Sequence, residues 1–359
     1  MKEETIASAF AIQGNILEIK PLGNGLINDS FKVTTDGPDD YVLQRINHAI
    51  FRDVDLLQHN IECATAHIRE KLTEAGETDI DRKVLRFIPC KATGKTYWTD
   101  GNTYWRVSVF IKDAFTYETV TPDYSYFCGK AFGRFEAQLA DLPDKLGETI
   151  PDFHNMELRA RQLHEAVKVD AVGRMARPEV QAILAGLLPF EEEMCKAERL
   201  YREGKLPKRI CHCDTKVNNM MFDAQGNILC VIDLDTLMPS FVFSDFGDFL
   251  RTAANTVAED DPAVEKVDFR MDIFEAFTKG YLESAKVFLT PIETENLPYA
   301  ACLFPYMQAV RFFADYINGD TYYKIKYPEH NLVRTRNQVA LFHAALRQVP
   351  AMKAFIASL

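Results

Sequence analysis

The stretch that most constrains this chain is Ile210–Asp235, with the sequence ICHCDTKVNNMMFDAQGNILCVIDLD. Its pattern predicts a short apolar strand that ends at Cys211, a polar loop over 212–219, and a β-hairpin that turns at 224–227. The second arm of the hairpin, 228–232, is again apolar. Apolar runs of this length between turn residues are typical of buried strands. We therefore expect a small sheet with a polar loop at its mouth.

Three polar side chains of this stretch fall where the predicted strands end, namely Asp214, Asn219 and Asp233. The spacings are 219 − 214 = 5 and 233 − 214 = 19. A phosphoryl-transfer site needs a carboxylate that accepts the proton of an alcohol, and an amide and a second carboxylate that hold Mg²⁺ against the phosphates of ATP. Protein kinases use Asp, Asn five residues later, and a further Asp in these roles. We therefore predict that Asp214 is the catalytic base and that Asn219 and Asp233 bind Mg²⁺.

Four nearby residues are assigned further roles, and of these Lys216 is predicted to be catalytic together with Asp214. Lys216 follows the base by two residues and is predicted to neutralise charge on the transferring phosphoryl group, and His212 is predicted to brace the loop by hydrogen bonds. Asp245 opens a literal DFG, but it lies 245 − 214 = 31 residues after the base, which is too far for the kinase metal motif. We interpret Asp245 as a structural carboxylate that braces the loop. For Asp235, structural support and a minor metal role both stay open.

A solvated Asp-rich loop is the alternative for this motif, but the combined loop and hairpin pattern is much rarer than a lone HxD. Four segments together resemble the aminoglycoside phosphotransferase/choline kinase superfamily and, within it, the N-acetylhexosamine 1-kinases. The segments are HCDTKVNN (212–219), VIDLDTLMPS (231–240), SDFGDFLR (244–251) and YPEHNLVRTR (327–336). The resemblance covers nearly the whole chain. Cys213 stands where the superfamily usually has Gly or Asn, and we expect little effect from this difference.

The resemblance implies an α+β, two-lobed protein kinase-like fold. Residues 1–112 would form an N-terminal β-sheet lobe that binds the nucleotide, and 113–359 a mainly helical lobe for catalysis and sugar binding. The implied reaction is ATP-dependent phosphorylation of the anomeric hydroxyl of an N-acetylhexosamine by direct in-line transfer, with Mg²⁺ as cofactor. Arg311 and Tyr322 match residues that contact the sugar, beside the base Asp214. Leu26 stands where a sugar-contacting His is found in the family, so the preferred sugar stays open.

The predicted N-terminal lobe contains the candidate nucleotide-binding residues. Gly23 and Gly25 lie in a turn between strands predicted at 16–22 and 30–35, where kinase-like folds cover the phosphates of ATP, although such a turn is more often a plain hairpin. The turn is not a GxxxxGK[ST] loop, which disfavours a P-loop fold. Phe110 and Ile111 end the sheet where a kinase-like hinge would offer backbone groups to adenine.

A cation for the phosphates is expected on the strand predicted at 41–46. This strand carries Gln44 and Arg45 where a kinase-like fold usually has Lys, and strand alternation leaves open which of the two faces the phosphates. Glu62, in a helix predicted at 54–72, is a candidate partner for this cation, although a solvated face is the commoner position of a helical Glu. Further strands are predicted at 83–88, 95–98 and 103–111. Helices are predicted at 124–140, 156–168, 178–201, 249–256, 271–284 and 293–317.

The composition limits the partners. With 359 residues, 47% of them apolar and 26% charged, the sequence is typical of a globular protein with two lobes. The net charge of −11 argues against a nucleic-acid partner. No apolar run is long enough to span a bilayer, and the acidic, amphipathic first 14 residues do not resemble a signal peptide. Scattered cysteines fit a cytoplasmic location. We expect a monomer or weak oligomer.

Two other functions remain open from the sequence. The same fold could phosphorylate another small alcohol, with aromatic residues that enclose a cation in a choline-like site or a broad acidic site for an aminoglycoside. A nucleotide-binding pseudokinase that regulates a partner is the other alternative, and the intact Asp214, Asn219 and Asp233 argue against it.

Overall fold

The protein is described here by a computed structural model that covers residues 2–23, 28–117 and 120–359. It divides into two compact units, each built from three segments of the chain. The first consists of Met1–Thr116, Gln138–Pro151 and Asn219–Met238, and the second of Tyr117–Ala137, Asp152–Asn218 and Pro239–Leu359. The first unit is rich in strands and the second in helices, which confirms the predicted α+β kinase-like fold.

The first unit is organised around a six-stranded antiparallel sheet. Its strands are β1 (Ile16–Pro21), β2 (Asp29–Thr35), β3 (Tyr41–Ile46), β4 (Phe87–Ile88), β5 (Tyr97–Thr99) and β6 (Tyr104–Val109). The order is β1-β2-β3-β6-β4, and β5 also pairs with β6. The alternating side chains Tyr41 and Leu43 enter the hydrophobic core, as the pleat requires. The register places Gln44 opposite Arg106, which becomes important for the site.

Three helices and a hairpin complete the first unit. They are α1 (Lys2–Ala7), α2 (Val54–Glu74), α3 (Ile80–Lys83), β8 (Met220–Phe222) and β9 (Ile228–Val231). The Asp53 side chain caps α2 by accepting a hydrogen bond from the Leu56 amide. The strand predicted at 83–88 is confirmed only at its end, because Lys83 belongs to α3 and only Phe87–Ile88 (β4) pairs with β6. The predicted hairpin turn is confirmed, with the Asp223 amide donating to the Asn227 carbonyl.

The second unit consists mainly of helices. These are α4 (Pro122–Leu139), α5 (Met156–Val169), α6 (Pro178–Leu187), α7 (Glu191–Met194), α8 (Lys196–Arg202), α9 (Phe243–Ala253), α10 (Met271–Ala285), α11 (Pro291–Glu295), α12 (Leu297–Ile317) and α13 (His330–Ser358), with the short strands β7 (Arg209–Cys211) and β10 (Met238–Ser240). The single helix predicted at 178–201 is three helices. Pro189 lies in a 3₁₀ turn between α6 and α7, because it lacks the N–H that a continuous helix requires.

Two helices of the second unit approach each other at backbone distance. A Cβ placed on Gly129 of α4 would lie 2.1 Å from the Phe277 carbonyl oxygen of α10, and one on Gly280 of α10 would lie 2.0 Å from the Tyr126 carbonyl oxygen of α4. Only glycine leaves room for such contact. The contact fixes the axial position of α4 against α10. Within the described residues, no helix is both long enough and apolar enough to cross a bilayer.

Candidate active site

The loop that carries Asp214 follows β7 and is held by one buried carboxylate. Asp245, in the first turn of α9, accepts hydrogen bonds from the amides of His212 (2.8 Å) and Cys213 (2.7 Å). The Thr215 hydroxyl donates to the Asp245 carbonyl oxygen at 2.7 Å. The prediction that Asp245 braces this loop is confirmed. Both oxygens of its carboxylate accept hydrogen bonds from the loop backbone.

His212 orients the loop from inside. Its ring is buried, with edge contacts to the rings of Phe132 and Phe135 at 5.9 and 6.1 Å between centroids. Its Nδ1 accepts a hydrogen bond from the Asp214 amide at 3.2 Å. Nδ1 is the acceptor in this contact, which leaves Nε2 as the ring nitrogen that can donate. The predicted bracing role of His212 is confirmed.

Asp214 and Lys216 form an ion pair. The Nζ of Lys216 lies 2.9 Å from Oδ2 of Asp214, and their side chains are 38% and 22% exposed. The structure therefore brings together the two residues that the sequence predicted as catalytic.

Asp248, which the sequence analysis did not single out, supports the same loop. It is buried, and its Oδ2 accepts a hydrogen bond from the Thr215 amide at 3.2 Å. Arg251 lies one helical turn later, 3.3 Å from Asp248, and also contacts Glu259 at 2.7 Å. Burial raises the pKa of Asp248, an effect that the nearby charge of Arg251 opposes. Its spacing of three residues after Asp245, on one face of a helix, was the available signal.

Cys213 has an unusual backbone conformation. Its φ is +63°, in the left-handed region, and its side chain is buried. Non-glycine residues pay a conformational cost in this region. The structure therefore gives a physical reason for Gly or Asn at this position, which the sequence analysis did not identify.

Asn219 and Asp233 lie at the same end of the β8–β9 hairpin in the first unit. Met220 pairs with Val231, and the Ile232 amide donates to the Asn219 carbonyl oxygen at 2.9 Å. Asp233 follows directly, is exposed, and has a φ of +60°. An amide oxygen and a carboxylate at one hairpin end are hard oxygen donors of the kind that Mg²⁺ binds. The donor set therefore fits the predicted metal.

A buried ion pair was missed by the sequence analysis. Nη1 of Arg106, on β6, lies 2.5 Å from Oδ1 of Asp235, and both side chains are almost fully buried. The other oxygen, Oδ2, accepts a hydrogen bond from the Asn28 amide group at 2.6 Å. Both oxygens of Asp235 are thus in contact with protein groups, which favours its structural role. The available signal was an arginine in the apolar strand YWRVSV.

The structure also shows that Gln44 and Arg45 have different surroundings. Gln44 accepts a hydrogen bond from Nε of Arg106 at 3.1 Å, whereas Arg45 is 45% exposed and lies 3.5 Å from Asp29. Arg45 therefore has an exposed partner within its own sheet, and its role in nucleotide binding stays a prediction.

Helix α2 contributes Gln58 to this buried network instead of Glu62. Nη1 of Arg106 is 3.4 Å from the Gln58 side-chain oxygen, and Glu62 accepts a hydrogen bond from the hydroxyl of Thr96 at 2.5 Å. Glu62 is exposed, which is the commoner position of a Glu in a helix. Of the two alternatives for Glu62, the structure therefore shows the solvated face and not a pairing with the cation of β3.

The remaining nucleotide-binding candidates are only partly described. Gly23 is exposed, with a φ of +67°, whereas Gly25 lies outside the described residues, as does Leu26. The Phe110 amide donates to the Asp40 carbonyl oxygen at 2.9 Å, so it is already engaged. Ile111 is 5% exposed. An adenine contact through Phe110 would therefore use its carbonyl group rather than its N–H.

Arg311 on α12 lies among aromatic rings in the second unit. Its guanidinium carbon is 5.6 Å from the centroid of the Phe153 ring and 5.7 Å from that of Tyr323, and Nη1 donates to the Gln308 side chain at 3.2 Å. Tyr322 is 70% exposed, and its ring meets that of Tyr323 edge-on at 4.8 Å. The two residues predicted to contact the sugar thus share Tyr323 as a neighbour.

The segment with Tyr322 is held in place by a single carboxylate. Asp315 is buried and accepts hydrogen bonds from three consecutive backbone amides, those of Thr321, Tyr322 and Tyr323, at 2.8–3.0 Å. The Asn331 side chain also donates to Asp315 at 2.9 Å. A carboxylate with several N–H donors is strongly held. The two tyrosines are therefore presented by a rigid turn.

A second arginine and a histidine lie close to Arg311. Burial lowers the pKa of Arg159 to about 10, and the charge of Arg311 acts in the same direction. Burial lowers the pKa of His154 well below its ordinary range, with the same two arginines adding to the effect. Among the described residues, neither Nε of Arg159 nor Nδ1 of His154 has a hydrogen-bond partner. We refer to His154, Arg159, Arg311, Tyr322 and Tyr323 as the arginine–tyrosine cluster.

Comparison with known proteins identifies the family. Residues 18–280 match the family described as "APH: Phosphotransferase enzyme family". The chain belongs to this phosphotransferase family. The match includes Asp214, Lys216, Asn219 and Asp233 and ends before Arg311.

Solved structures share the fold of this phosphotransferase at low identity. An aminoglycoside phosphotransferase from Alicyclobacillus acidocaldarius subsp. acidocaldarius DSM 446 is 13% identical, with a TM-score of 0.63 and coverage of 99% of this chain and 96% of that chain. Amicoumacin kinase, in complex with AMP-PNP, Ca²⁺ and Ami, is 14% identical (TM-score 0.60; 93% and 91% covered). Choline kinase from Cryptosporidium parvum Iowa II is 14% identical (TM-score 0.54; 95% and 92% covered).

Proposed function

We propose that this phosphotransferase transfers the γ-phosphoryl group of ATP to the anomeric hydroxyl of an N-acetylhexosamine. The observation that carries the catalytic part is the ion pair of Asp214 and Lys216, on a loop held by Asp245 and His212. Asp214 would accept the proton of the acceptor hydroxyl as its oxygen bonds to phosphorus, and Lys216 would offset negative charge on the transferring group. ADP leaves as the phosphorus–oxygen bond to it breaks.

Asn219 and Asp233 would hold Mg²⁺ by their side-chain oxygens. Bound Mg²⁺ would neutralise charge on the β- and γ-phosphates of ATP. Asp235 and Arg106 fix the backbone just after Asp233, which supports a defined position for this ligand. Gly23, Gly25, Arg45, Phe110 and Ile111 stay proposed nucleotide-binding residues.

The arginine–tyrosine cluster supports a neutral, hydroxyl-rich acceptor. Arg159 and Arg311 bring two positive charges into the cluster, and these charges would repel an ammonium group. Arginines donate hydrogen bonds to carbonyl and hydroxyl oxygens, and tyrosine rings pack against the apolar face of a sugar. An N-acetyl group has the carbonyl oxygen that such donors need.

The runner-up is phosphorylation of another small alcohol, as the names of similar kinases for choline and amicoumacin suggest. A choline-like acceptor needs aromatic faces around a cation without competing positive charge. The two arginines of the cluster disfavour it. An aminoglycoside is polycationic and is disfavoured for the same reason.

The test is a Mg²⁺-dependent ATP turnover assay with N-acetylglucosamine, N-acetylgalactosamine, glucosamine, choline and an aminoglycoside. The phosphorus NMR spectrum of the product should show a phosphate coupled to the C1 proton of an N-acetylhexosamine. A 6-phosphate, or turnover of choline or the aminoglycoside alone, contradicts the proposed acceptor. Absence of turnover with every acceptor favours the pseudokinase alternative.

Two variants separate the roles within this assay. Asp214→Asn should lower turnover by about 10²-fold or more while ATP binding is retained, because only the base is lost. Asp123→Asn, at an exposed position of the same unit, is the matched control and should leave turnover unchanged. Arg311→Ala should raise KM for the sugar strongly, with exposed Arg347→Ala as its control.

A further inference from the structure

Beneath the catalytic loop lies a second carboxyl group that the proposed reaction does not use. Glu136 of α4 is 2% exposed, and Asp245 and Cys211 are fully buried. One side-chain oxygen of Glu136, one of Asp245 and the Cys211 sulfur all lie within 4.8 Å of one another. Two ionised carboxylates this close in a buried site would repel each other strongly. This proximity favours a proton on one of the two carboxyl groups.

The hydrogen bonds identify which group holds it. Both oxygens of Asp245 accept amide protons from the catalytic loop, an arrangement that favours the ionised form. One oxygen of Glu136, Oε2, accepts a hydrogen bond from the Tyr281 hydroxyl at 2.5 Å. The other oxygen, Oε1, is buried and has no donor among the described residues. A proton on Oε1 removes this deficit, because it makes Glu136 a donor to Asp245.

The surroundings of Glu136 favour its neutral form. Burial raises its pKa well above the ordinary range, and the charge of Asp245 acts in the same direction. The other titratable groups that face it are Tyr281, Cys211 and Glu293, and the Glu293 carboxylate is paired with Arg209 through two hydrogen bonds. The nearby cation of Arg209 is thus engaged by Glu293, while His212 faces Asp245 through the amide that Asp245 holds.

We propose that protonated Glu136 is a positioning residue, which donates a hydrogen bond to Asp245 and so fixes the loop that carries Asp214. The chain of hydrogen bonds runs from Tyr281 to Glu136, then to Asp245, which accepts from the amides of His212 and Cys213. The glycine contact of α4 with α10 places Glu136 and Tyr281 side by side. The inference rests on the proposed catalytic role of the loop, and it gives helix α4 a role in positioning that loop.

The test compares two substitutions of similar volume. Gln at 136 keeps one acceptor for Tyr281 and one donor for Asp245, whereas Met keeps neither. Glu136→Gln should retain kcat within about threefold, and Glu136→Met should lower kcat by about tenfold or more with little change in KM for ATP, as for the loss of positioning. Thr278→Val is the control, since its buried hydroxyl has no partner among the described residues.

Equal loss of kcat in Glu136→Gln and Glu136→Met contradicts the proposal, because it would mean that an ionised carboxylate is needed. Full activity of Glu136→Met also contradicts it, because the loop would then be fixed without this group. An infrared difference spectrum between wild type and Glu136→Gln at neutral pH is a second test, and it needs no substrate. The spectrum should contain the C=O band of a protonated carboxylic acid. Absence of this band overturns the proposal even if Glu136→Met does not fold, and the band is independent of the acceptor.

Discussion

Arg106 and Asp235 form an ion pair that is almost completely excluded from solvent, with 2.5 Å between Nη1 and Oδ1. The pair joins the central strand β6 to the segment just after Asp233. It therefore ties the core of the sheet to the end of the hairpin that carries the proposed metal ligands.

Removal of one partner of this pair should destabilise the first unit strongly. Arg106→Met leaves a buried carboxylate without its cation, a loss that typically costs about 3–5 kcal/mol in free energy of unfolding. The double variant Arg106→Met/Asp235→Leu should recover part of that loss. Urea unfolding measures both. Arg45→Met removes an exposed pair from the same sheet and should cost no more than about 1 kcal/mol; a similar cost in both single variants would contradict the argument.

Asp233→Asn should weaken the binding of Mg²⁺ without disturbing the fold. Asn tolerates the left-handed backbone of residue 233 about as well as Asp, so only the charge is removed. We expect a higher Mg²⁺ concentration for half-maximal turnover and a lower kcat, with an unchanged melting temperature. Asp245→Asn should instead lower the melting temperature, because Asp245 holds the loop backbone. If Asp245→Asn changed the Mg²⁺ dependence and Asp233→Asn did not, the two assignments would be exchanged.

Cys213 should tolerate Gly better than Val. Gly removes a left-handed strain of about 1–2 kcal/mol, but it gives up some burial and increases the entropy of the unfolded chain. The free energy of unfolding should thus stay within about 1 kcal/mol of wild type. A β-branched Val should cost about 1–3 kcal/mol at this φ and lower turnover. Cys230→Val, in strand β9, is the control, because Val suits a strand. Equal stability of both Val variants would show that backbone strain at 213 is unimportant.

His154 should make the stability of the second unit depend on pH. Its pKa is depressed below the ordinary value of 6.5, so the unfolded chain binds a proton that the native state does not. The stabilisation is complete above about pH 6.5 and declines as the pH falls towards the lower native pKa, by up to about 1.4 kcal/mol per pH unit. Urea unfolding at several pH values should show a flatter profile for His154→Phe. The variant His164→Phe, at an exposed position, should retain the wild-type slope of unfolding free energy against pH. If His164→Phe lost this slope and His154→Phe did not, His154 would not be the responsible group.

The sequence predicted the elements whose pattern is local. Alternation in YVLQRI placed β3 at the observed bounds, and Asp245 braces the catalytic loop as predicted. That Asp245 has no metal role stays a prediction. The prediction of one helix at 178–201 was wrong, because the apolar periodicity continues through Pro189 whereas a regular α-helix does not. The lobe boundary at 112 stays a prediction, as do the nucleotide contacts.

The contacts that the sequence could not predict join residues far apart in the chain. Arg106 and Asp235 are separated by 235 − 106 = 129 positions, and Glu136 and Tyr281 by 281 − 136 = 145. In each case the local pattern is that of an ordinary strand or helix with one polar side chain. Only the folded chain shows which partner makes the burial of that side chain tolerable.

The contact of Gly129 with α10 limits how this chain can change during evolution. Because the backbones of α4 and α10 are in contact, neither helix can slide or rotate without breaking the hydrogen bond between Tyr281 and Glu136. A lineage that acquires a new acceptor preference must therefore do so elsewhere. The turn at 320–323 is attached through Asp315 and carries an exposed tyrosine, so we expect substitutions that change specificity to accumulate there.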